Sequence, residues 1–195
     1  MRSDAPALAP IFRSQTQGDL LARVLLHPTV EWTLTELSGV LAIPLTTVQS
    51  EVNRLAEGGV LSTRKVGRAR LVRANLDSPV IGPLTQLTLI TFGPQVVVGE
   101  EFASLRARHV IIFGSWAQRY HGVVGTFPSD IDVLVVGNGV KRRDLYAAAE
   151  RAEGRLSMAV NPVLLDPQAW TSPGTDPLLM DITSSPVVEV TRLSA

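Results

Sequence analysis

The chain has 195 residues, 45% hydrophobic and 18% charged, which is enough for two small domains with separate cores. It has no cysteine, which excludes a disulfide framework, a thiolate zinc site and a cysteine nucleophile. Eighteen basic residues balance eighteen acidic ones, which argues against a uniformly basic nucleic-acid binder.

The N-terminal residues 1–13 lack a long apolar segment, so we predict a disordered leader and not a signal peptide. The longest apolar runs, such as Val133 to Val136, are too short to cross a bilayer. With the absence of cysteine, these features predict a cytoplasmic protein without a membrane partner.

Residues 14–76 have the pattern of three helices followed by a β-hairpin. Apolar residues at helical spacing over residues 20–25 predict the first helix. Thr33 and Glu36 have the spacing of a capping box, which predicts the start of the second. A third helix is predicted to end at Gly58-Gly59. Its inward face is predicted to consist of Val48, Val52 and Leu55.

The outer face of the third helix is polar and is followed by a basic hairpin. Its polar residues are Thr46, Thr47, Gln49, Ser50, Asn53 and Arg54. The basic residues of the hairpin, whose β-prone runs 60–66 and 70–74 flank Gly67-Arg68, are Arg64, Lys65, Arg68 and Arg70. Asn and Gln bond adenine edges and Arg bonds guanine in the major groove, while basic side chains contact phosphates. The pattern predicts double-stranded DNA as partner. The alternative is a protein-contact domain with a merely solvated polar face.

Two stretches of this region, TLTELSGVLAIPLTTVQSEVNRLAEGGVL and RKVGRARLVRAN, support a family resemblance. From Gln17 to Asn75 the sequence resembles the winged helix-turn-helix domain of ArsR-like and MarR-like bacterial regulators. The resemblance implies that the polar residues of the third helix lie on a recognition helix. It also implies a homodimer, because such regulators usually read paired half-sites.

Residues 77–107 are predicted to form a helical connector. Its apolar residues 81–90 are the candidate dimer interface, or alternatively a helix buried between domains. Residues 108–195 alternate short strands and helices, which predicts a small domain of α/β or α+β type. With the helices and hairpin of residues 14–76, the predicted fold class of the whole chain is α+β.

The strongest chemical pattern is IIFGSWAQRYHGVVGTFPSDIDVLVVG, from Ile111 to Gly137. Asp130 and Asp132 begin an apolar strand, and residues two apart on a strand point to the same side. Two such carboxylates suit Mg²⁺ with substrate phosphates. Gly114 lets backbone amides approach a phosphate, and the helix predicted from Ser115 adds its dipole. We therefore predict a site for Mg²⁺ and a nucleoside triphosphate.

The segment from Val110 to Leu165 resembles the minimal nucleotidyltransferases of the polymerase-beta superfamily. The resemblance implies that Gly114 and Ser115 bind the triphosphate, and that Asp130 and Asp132 are catalytic metal ligands. Active members carry a third acid on a later strand. Asn161 stands at the matching place here, and an amide cannot act as a general base.

Two functions fit these patterns. The first is a DNA-binding transcriptional regulator with a nucleotidyltransferase-like C-terminal domain that binds nucleotide and Mg²⁺ or serves as a scaffold. The alternative is an active nucleotidyltransferase that modifies a partner protein or small molecule and regulates its own operon. In that case it would resemble an antitoxin that neutralises a toxin encoded beside it.

Overall fold

The chain divides into two compact units, Met1–Gly93 (unit 1) and Pro94–Ala195 (unit 2). The structure, a computed structural model, describes residues 11–172, 174 and 176–192. Both units combine helices with a sheet, so the predicted α+β class is confirmed. The division after Gly93 differs from the prediction, because it splits the expected connector 77–107 between the two units.

Over its described residues 11–93, unit 1 has four α-helices and three short strands. In chain order they are α1 (Gln15–Leu25), β1 (Trp32–Thr33), α2 (Leu34–Leu41), α3 (Leu45–Glu57), β2 (Leu61–Val66), β3 (Ala69–Ala74) and α4 (Ile81–Phe92). The strands form an antiparallel sheet in the order β1-β3-β2. Strand β1 was not predicted, because two residues are too few to show an alternating pattern.

Local signals account for the ends of α2 and α3. The capping box is present: Thr33 Oγ1 accepts from the Glu36 amide at 3.1 Å, and Glu36 Oε2 accepts from the Thr33 amide at 2.7 Å. Helix α3 ends before Gly58, and Gly59 follows with φ +70°, a conformation that glycine adopts without strain. The predicted inward residues Val48, Val52 and Leu55 are all buried in the core of unit 1.

The start and the end of unit 1 pack against each other. Phe12 is buried and meets Phe92 edge-on, with ring centroids 4.8 Å apart. Helix α4 also packs on α1, and Ile81 belongs to the core of the unit. The predicted leader therefore ends before Phe12, while residues 1–10 lie outside the described residues. Some apolar residues of α4 pack into the core of unit 1, so less apolar surface of this helix is available for the predicted dimer interface.

The stretch Ile81–Leu105 passes a length and composition test for a membrane span, with a mean hydropathy of 1.3. It is longer than the apolar runs considered from the sequence. Buried core helices pass the same test, and 39% of the tested 18-residue segment is buried. The helix α4 ends at Phe92, and its 12 residues measure about 18 Å against a hydrocarbon core of about 30 Å.

Unit 2 is built on a four-stranded sheet. Its elements are α5 (Pro94–Phe102), a 3₁₀ turn (Ala103–Leu105), β4 (His109–Phe113), α6 (Gly114–Tyr120), β5 (Asp130–Val136), α7 (Arg142–Leu156), β6 (Ala159–Leu165), α8 (Pro167–Thr171), α9 (Pro177–Ser184) and β7 (Val188–Arg192). The strand order is β6-β5-β4-β7. Only β5 and β6 are parallel, with α7 as the crossover that parallel neighbours require. Helices α8 and α9 were not predicted.

Side chains along β5 alternate between the two faces of this sheet. Ile131, Val133 and Val135 lie on one face and are fully buried. The other face begins with Asp130 and Asp132 and continues into an apolar cluster: Ile111, Phe113, Leu134, Val136 and Ile182. The face that holds the two carboxylates is therefore continuous with the packed cluster that contains Leu134 and Val136.

Candidate functional site

The first candidate site is the α3–hairpin face, defined as the outer face of α3 together with the β2–β3 hairpin. Most of its predicted residues are exposed: Thr46, Gln49, Ser50, Asn53, Arg64, Lys65 and Arg68. Thr47, Arg54 and Arg70 are half-buried. A groove of about 420 Å³ runs between residues 33–35, Leu45 and Gln49 on one side and hairpin residues 68–70 on the other. The two predicted DNA-contacting segments therefore lie beside each other.

A direct bond joins helix and hairpin within this face. Nη1 of Arg70 on β3 donates to Oδ1 of Asn53 on α3. Nη2 of Arg70 also lies 3.4 Å from the hydroxyl oxygen of Thr63 on β2. Arg70 was predicted to contact phosphate, whereas here its guanidinium is engaged by Asn53 and Thr63.

Arg64 is held by a carboxylate that the sequence analysis did not identify. Its guanidinium forms a bidentate ion pair with Glu31: Nε donates to Oε1 at 2.8 Å, and Nη2 donates to Oε2. The bond from Arg64 lowers the pKa of Glu31, and in return Glu31 raises the pKa of Arg64. The two residues are 33 positions apart, and no local signal connects them.

Arg54 faces a buried carboxylate on its own helix. Its Nη1 lies 3.2 Å from both oxygens of Glu51, whose side chain is only 9% exposed. Nη1 of Arg13 lies 3.9 Å from the same carboxylate. The spacing of three residues was visible in the sequence and favours such a pair on a helix. Arg54 therefore stabilises α3, whatever else it contacts.

Lys65 and Arg68 are two cations beside the hairpin turn that remain available. Both are exposed, and neither makes a hydrogen bond or ion pair within residues 11–172, 174 and 176–192. They flank Gly67, whose φ of +57° forms the hairpin turn. Cations at the tip of a projecting hairpin can approach an anionic surface without first breaking an internal contact.

The second candidate site is the acidic pair, Asp130 and Asp132 of β5, with Asn161 of β6. The register places Asp132 directly opposite Asn161. The amide nitrogen of Asn161 donates to Oδ2 of Asp130 at 2.9 Å and to Oδ1 of Asp132 at 3.2 Å. The two carboxylates therefore lie on one side of the sheet, and Asn161 occupies the position facing both of them.

Gly114 brings the strand–helix junction against this pair. Phe113 pairs with Asp132 across β4 and β5, and α6 begins at the next residue, Gly114, with φ +71°. A Cβ atom at Gly114 would lie 2.8 Å from Oδ2 of Asp132. Only glycine permits both this conformation and this approach. Ser115 is exposed on the same helical turn.

The environment of Asp132 favours its protonated form. Partial burial raises the pKa of Asp132, and the charge of Asp130 raises it further, whereas the bond from Asn161 opposes the rise. No Lys or Arg within the described ranges bonds to either carboxylate. Among the described residues, no ion pair therefore offsets the negative charge that these two carboxylates carry when they are ionised.

The donor set offers oxygen ligands that could hold Mg²⁺. Two carboxylates on one side of a strand are ligands that Mg²⁺ accepts, with phosphate oxygens and water filling its other positions. A rotation of the Asn161 side chain would replace its NH₂ by its oxygen, which is a further ligand. In the part of the chain that the structure describes, no three His, Cys, Asp or Glu side chains gather as a metal site. Among the described residues, no third carboxylate therefore joins Asp130 and Asp132 as a candidate general base.

Comparisons of the chain with protein-family models, with characterised proteins and with solved structures find no match. The two family resemblances thus depend on the motifs and on the geometry described above.

Proposed function

We propose that this protein is a DNA-binding transcriptional regulator. Unit 1 acts as a winged helix-turn-helix domain on double-stranded DNA, and unit 2 is a nucleotidyltransferase-like domain. The observation that supports this most is the juxtaposition of the polar face of α3 with the basic hairpin, since Gln49 and Arg68 line one groove and Asn53 bonds Arg70. The proposal includes a cytoplasmic homodimer that binds paired half-sites.

The proposal is tested by the salt dependence of binding to a fluorescent duplex. Each phosphate contact contributes about 0.9 to the slope of log K against log salt. The double variant Lys65→Ala/Arg68→Ala should therefore weaken binding on every sequence and reduce the slope by about 1.8. The matched control is Arg142→Ala/Arg143→Ala, which removes two exposed charges from unit 2. Equal effects of the two double variants would contradict a specific α3–hairpin face.

Glu31 provides a test in the opposite direction. Glu31→Gln removes the carboxylate that holds Arg64, so Arg64 becomes able to reach a phosphate. Binding should become tighter and the salt slope should increase by about 0.9. If Arg64 contributes nothing to binding, Glu31→Gln will change neither quantity.

We propose as the second candidate that unit 2 binds a nucleoside triphosphate with Mg²⁺, and that nucleotide transfer to a toxin or other partner is weak. The approach of Gly114 to Asp132 supports a phosphate and metal site, whereas Asn161 in the place of an acid argues against efficient transfer. If the alternative of an active enzyme is correct, label from ATP will be incorporated into a partner, and Asp130→Asn will abolish the incorporation.

Calorimetric titration separates a functional site from a scaffold. ATP and GTP are titrated with Mg²⁺ into the wild type and into Asp130→Asn/Asp132→Asn. Binding by the wild type that disappears in the double variant supports the nucleotide site. No binding by the wild type means that unit 2 serves as a scaffold.

A further inference from the structure

The bond between Arg70 and Asn53 fixes which chemical group Asn53 presents to solvent. Asn53 is exposed on the outer face of α3, and its Oδ1 accepts from Nη1 of Arg70. A guanidinium has donors only, so the atom that faces it must be the amide oxygen. The orientation of the Asn53 amide is thereby determined by its partner, and its NH₂ group points away from Arg70.

This orientation matters for base recognition in the major groove. An asparagine with both groups available recognises adenine, because its oxygen accepts from N6 and its NH₂ donates to N7. At Asn53, Arg70 already occupies one of the two lone pairs of this oxygen. An adenine amino group brought to that oxygen would also face the positive charge of Arg70. Asn53 therefore offers donors, and the base that presents two neighbouring acceptors, N7 and O6, is guanine.

We infer that Asn53 selects guanine through its NH₂ group and that Arg70 is the positioning residue that sets this choice. This inference depends on the proposed DNA-binding function and assigns the base class that α3 reads at one position. It also changes the predicted role of Arg70, from a phosphate contact to a determinant of specificity. Thr63, whose hydroxyl lies 3.4 Å from Nη2 of Arg70, helps to hold the guanidinium in place.

The test begins with selection of binding sites from a random duplex library by the full chain. The affinity of single-base variants of the selected site is then measured by fluorescence anisotropy. We expect one position at which the wild type prefers guanine and at which Asn53→Ala loses that preference. A good bidentate contact is worth about 1–3 kcal/mol, so the loss should be about 5- to 150-fold. Replacing that guanine by 7-deazaguanine should weaken wild-type binding and leave Asn53→Ala unaffected.

Arg70→Met distinguishes a positioning role from a simple charge contact. Methionine keeps much of the side-chain length but releases the Asn53 oxygen, so preference at that position should shift from guanine toward adenine. The matched control is Arg68→Met, which removes one charge from the same hairpin. It should lower affinity on all sequences and leave the base preference unchanged. Asn53→Asp keeps an acceptor for Arg70 but has no donor, so it should lose the preference for guanine.

The outcomes separate the inference from the proposed function. Failure of the wild type to bind any duplex refutes both. If the protein binds DNA but Arg70→Met keeps the preference for guanine, the inference alone is refuted. The same holds if Asn53→Ala changes the base preference at no position of the site. A shift toward adenine in Arg70→Met, but not in Arg68→Met, supports it.

Discussion

Gly18→Ala tests the packing of α4 on α1, by which residues assigned to a connector in the sequence analysis join the core of unit 1. A Cβ atom at Gly18 would lie 2.6 and 2.7 Å from Cε2 and Cε1 of the Phe92 ring. The ring must move, and with it the edge-on contact to Phe12. Overpacking of this kind costs about 1–3 kcal/mol, while replacing a helical glycine by alanine gains about 1 kcal/mol. We expect a net loss of about 1 kcal/mol in the stability of unit 1.

Gly39→Ala is the matched control in the same unit. Gly39 lies in α2, and a Cβ atom there would meet nothing within 4 Å. This substitution should therefore stabilise unit 1 by about 0.5–1 kcal/mol. The two glycine substitutions have opposite predicted signs, so the comparison does not depend on the exact size of either effect.

The assay is hydrogen exchange followed peptide by peptide, because a global unfolding curve would mix the two units. Protection should fall in α1 of Gly18→Ala and stay constant in α7. In the Phe92→Leu background, Gly18→Ala should cost much less stability than it does in the wild type, because the smaller side chain makes room for the new Cβ atom. If Gly18→Ala stabilises α1 as much as Gly39→Ala stabilises α2, then α4 does not pack on α1 as described.

Three further predictions concern the candidate sites. Gly114→Ala should cost at least about 1–2 kcal/mol, because φ is +71° and the new Cβ would approach Asp132; a chemical denaturation curve identical to that of the wild type would contradict this. Arg54→Ala should cost about 1–3 kcal/mol by leaving Glu51 buried without its closest partner, and Arg54→Met/Glu51→Met should restore much of this in the same assay. The raised pKa of Asp132 means that the folded state binds its proton more tightly, so stability contributed by this group falls as pH rises from the ordinary value of 3.8 through the raised one. Asp132→Asn should remove that part of the pH dependence in thermal melts, whereas Asn161→Asp should steepen it and make the melting temperature rise more with Mg²⁺.

The elements of the fold were predictable where a local rule determines them. The capping box at Thr33 and Glu36 and the apolar spacing along α3 depend on neighbours within one turn, and both are confirmed. The same holds for the carboxylates of Asp130 and Asp132, since strand geometry alone places them on one side. The resemblance put Asn161 where active members carry a third acid on a later strand, and the register of β6 on β5 sets Asn161 opposite Asp132.

The contacts that modify the candidate sites were not predictable, because they connect distant parts of the chain. Glu31 reaches Arg64 over 33 positions, and it does so only because β1 pairs with β3. Arg70 reaches Asn53 over 17 positions through the packing of the hairpin beside α3. Neither the strand register nor this packing produces a repeating residue pattern from which it could be predicted. Of the cations predicted to contact DNA, the sequence could not distinguish those already engaged from those that are free.

The two candidate sites differ in how each could bind an anion. The α3–hairpin face carries fixed cations, so its attraction for phosphate needs no cofactor and weakens with salt. The acidic pair would repel a triphosphate, and Arg119 of α6 donates to the carbonyl of Val123 at 3.0 Å. Nucleotide binding in unit 2 therefore requires a divalent cation, which would reverse the sign of the local charge. ATP binding that survives removal of Mg²⁺ would place the nucleotide elsewhere, away from Asp130 and Asp132.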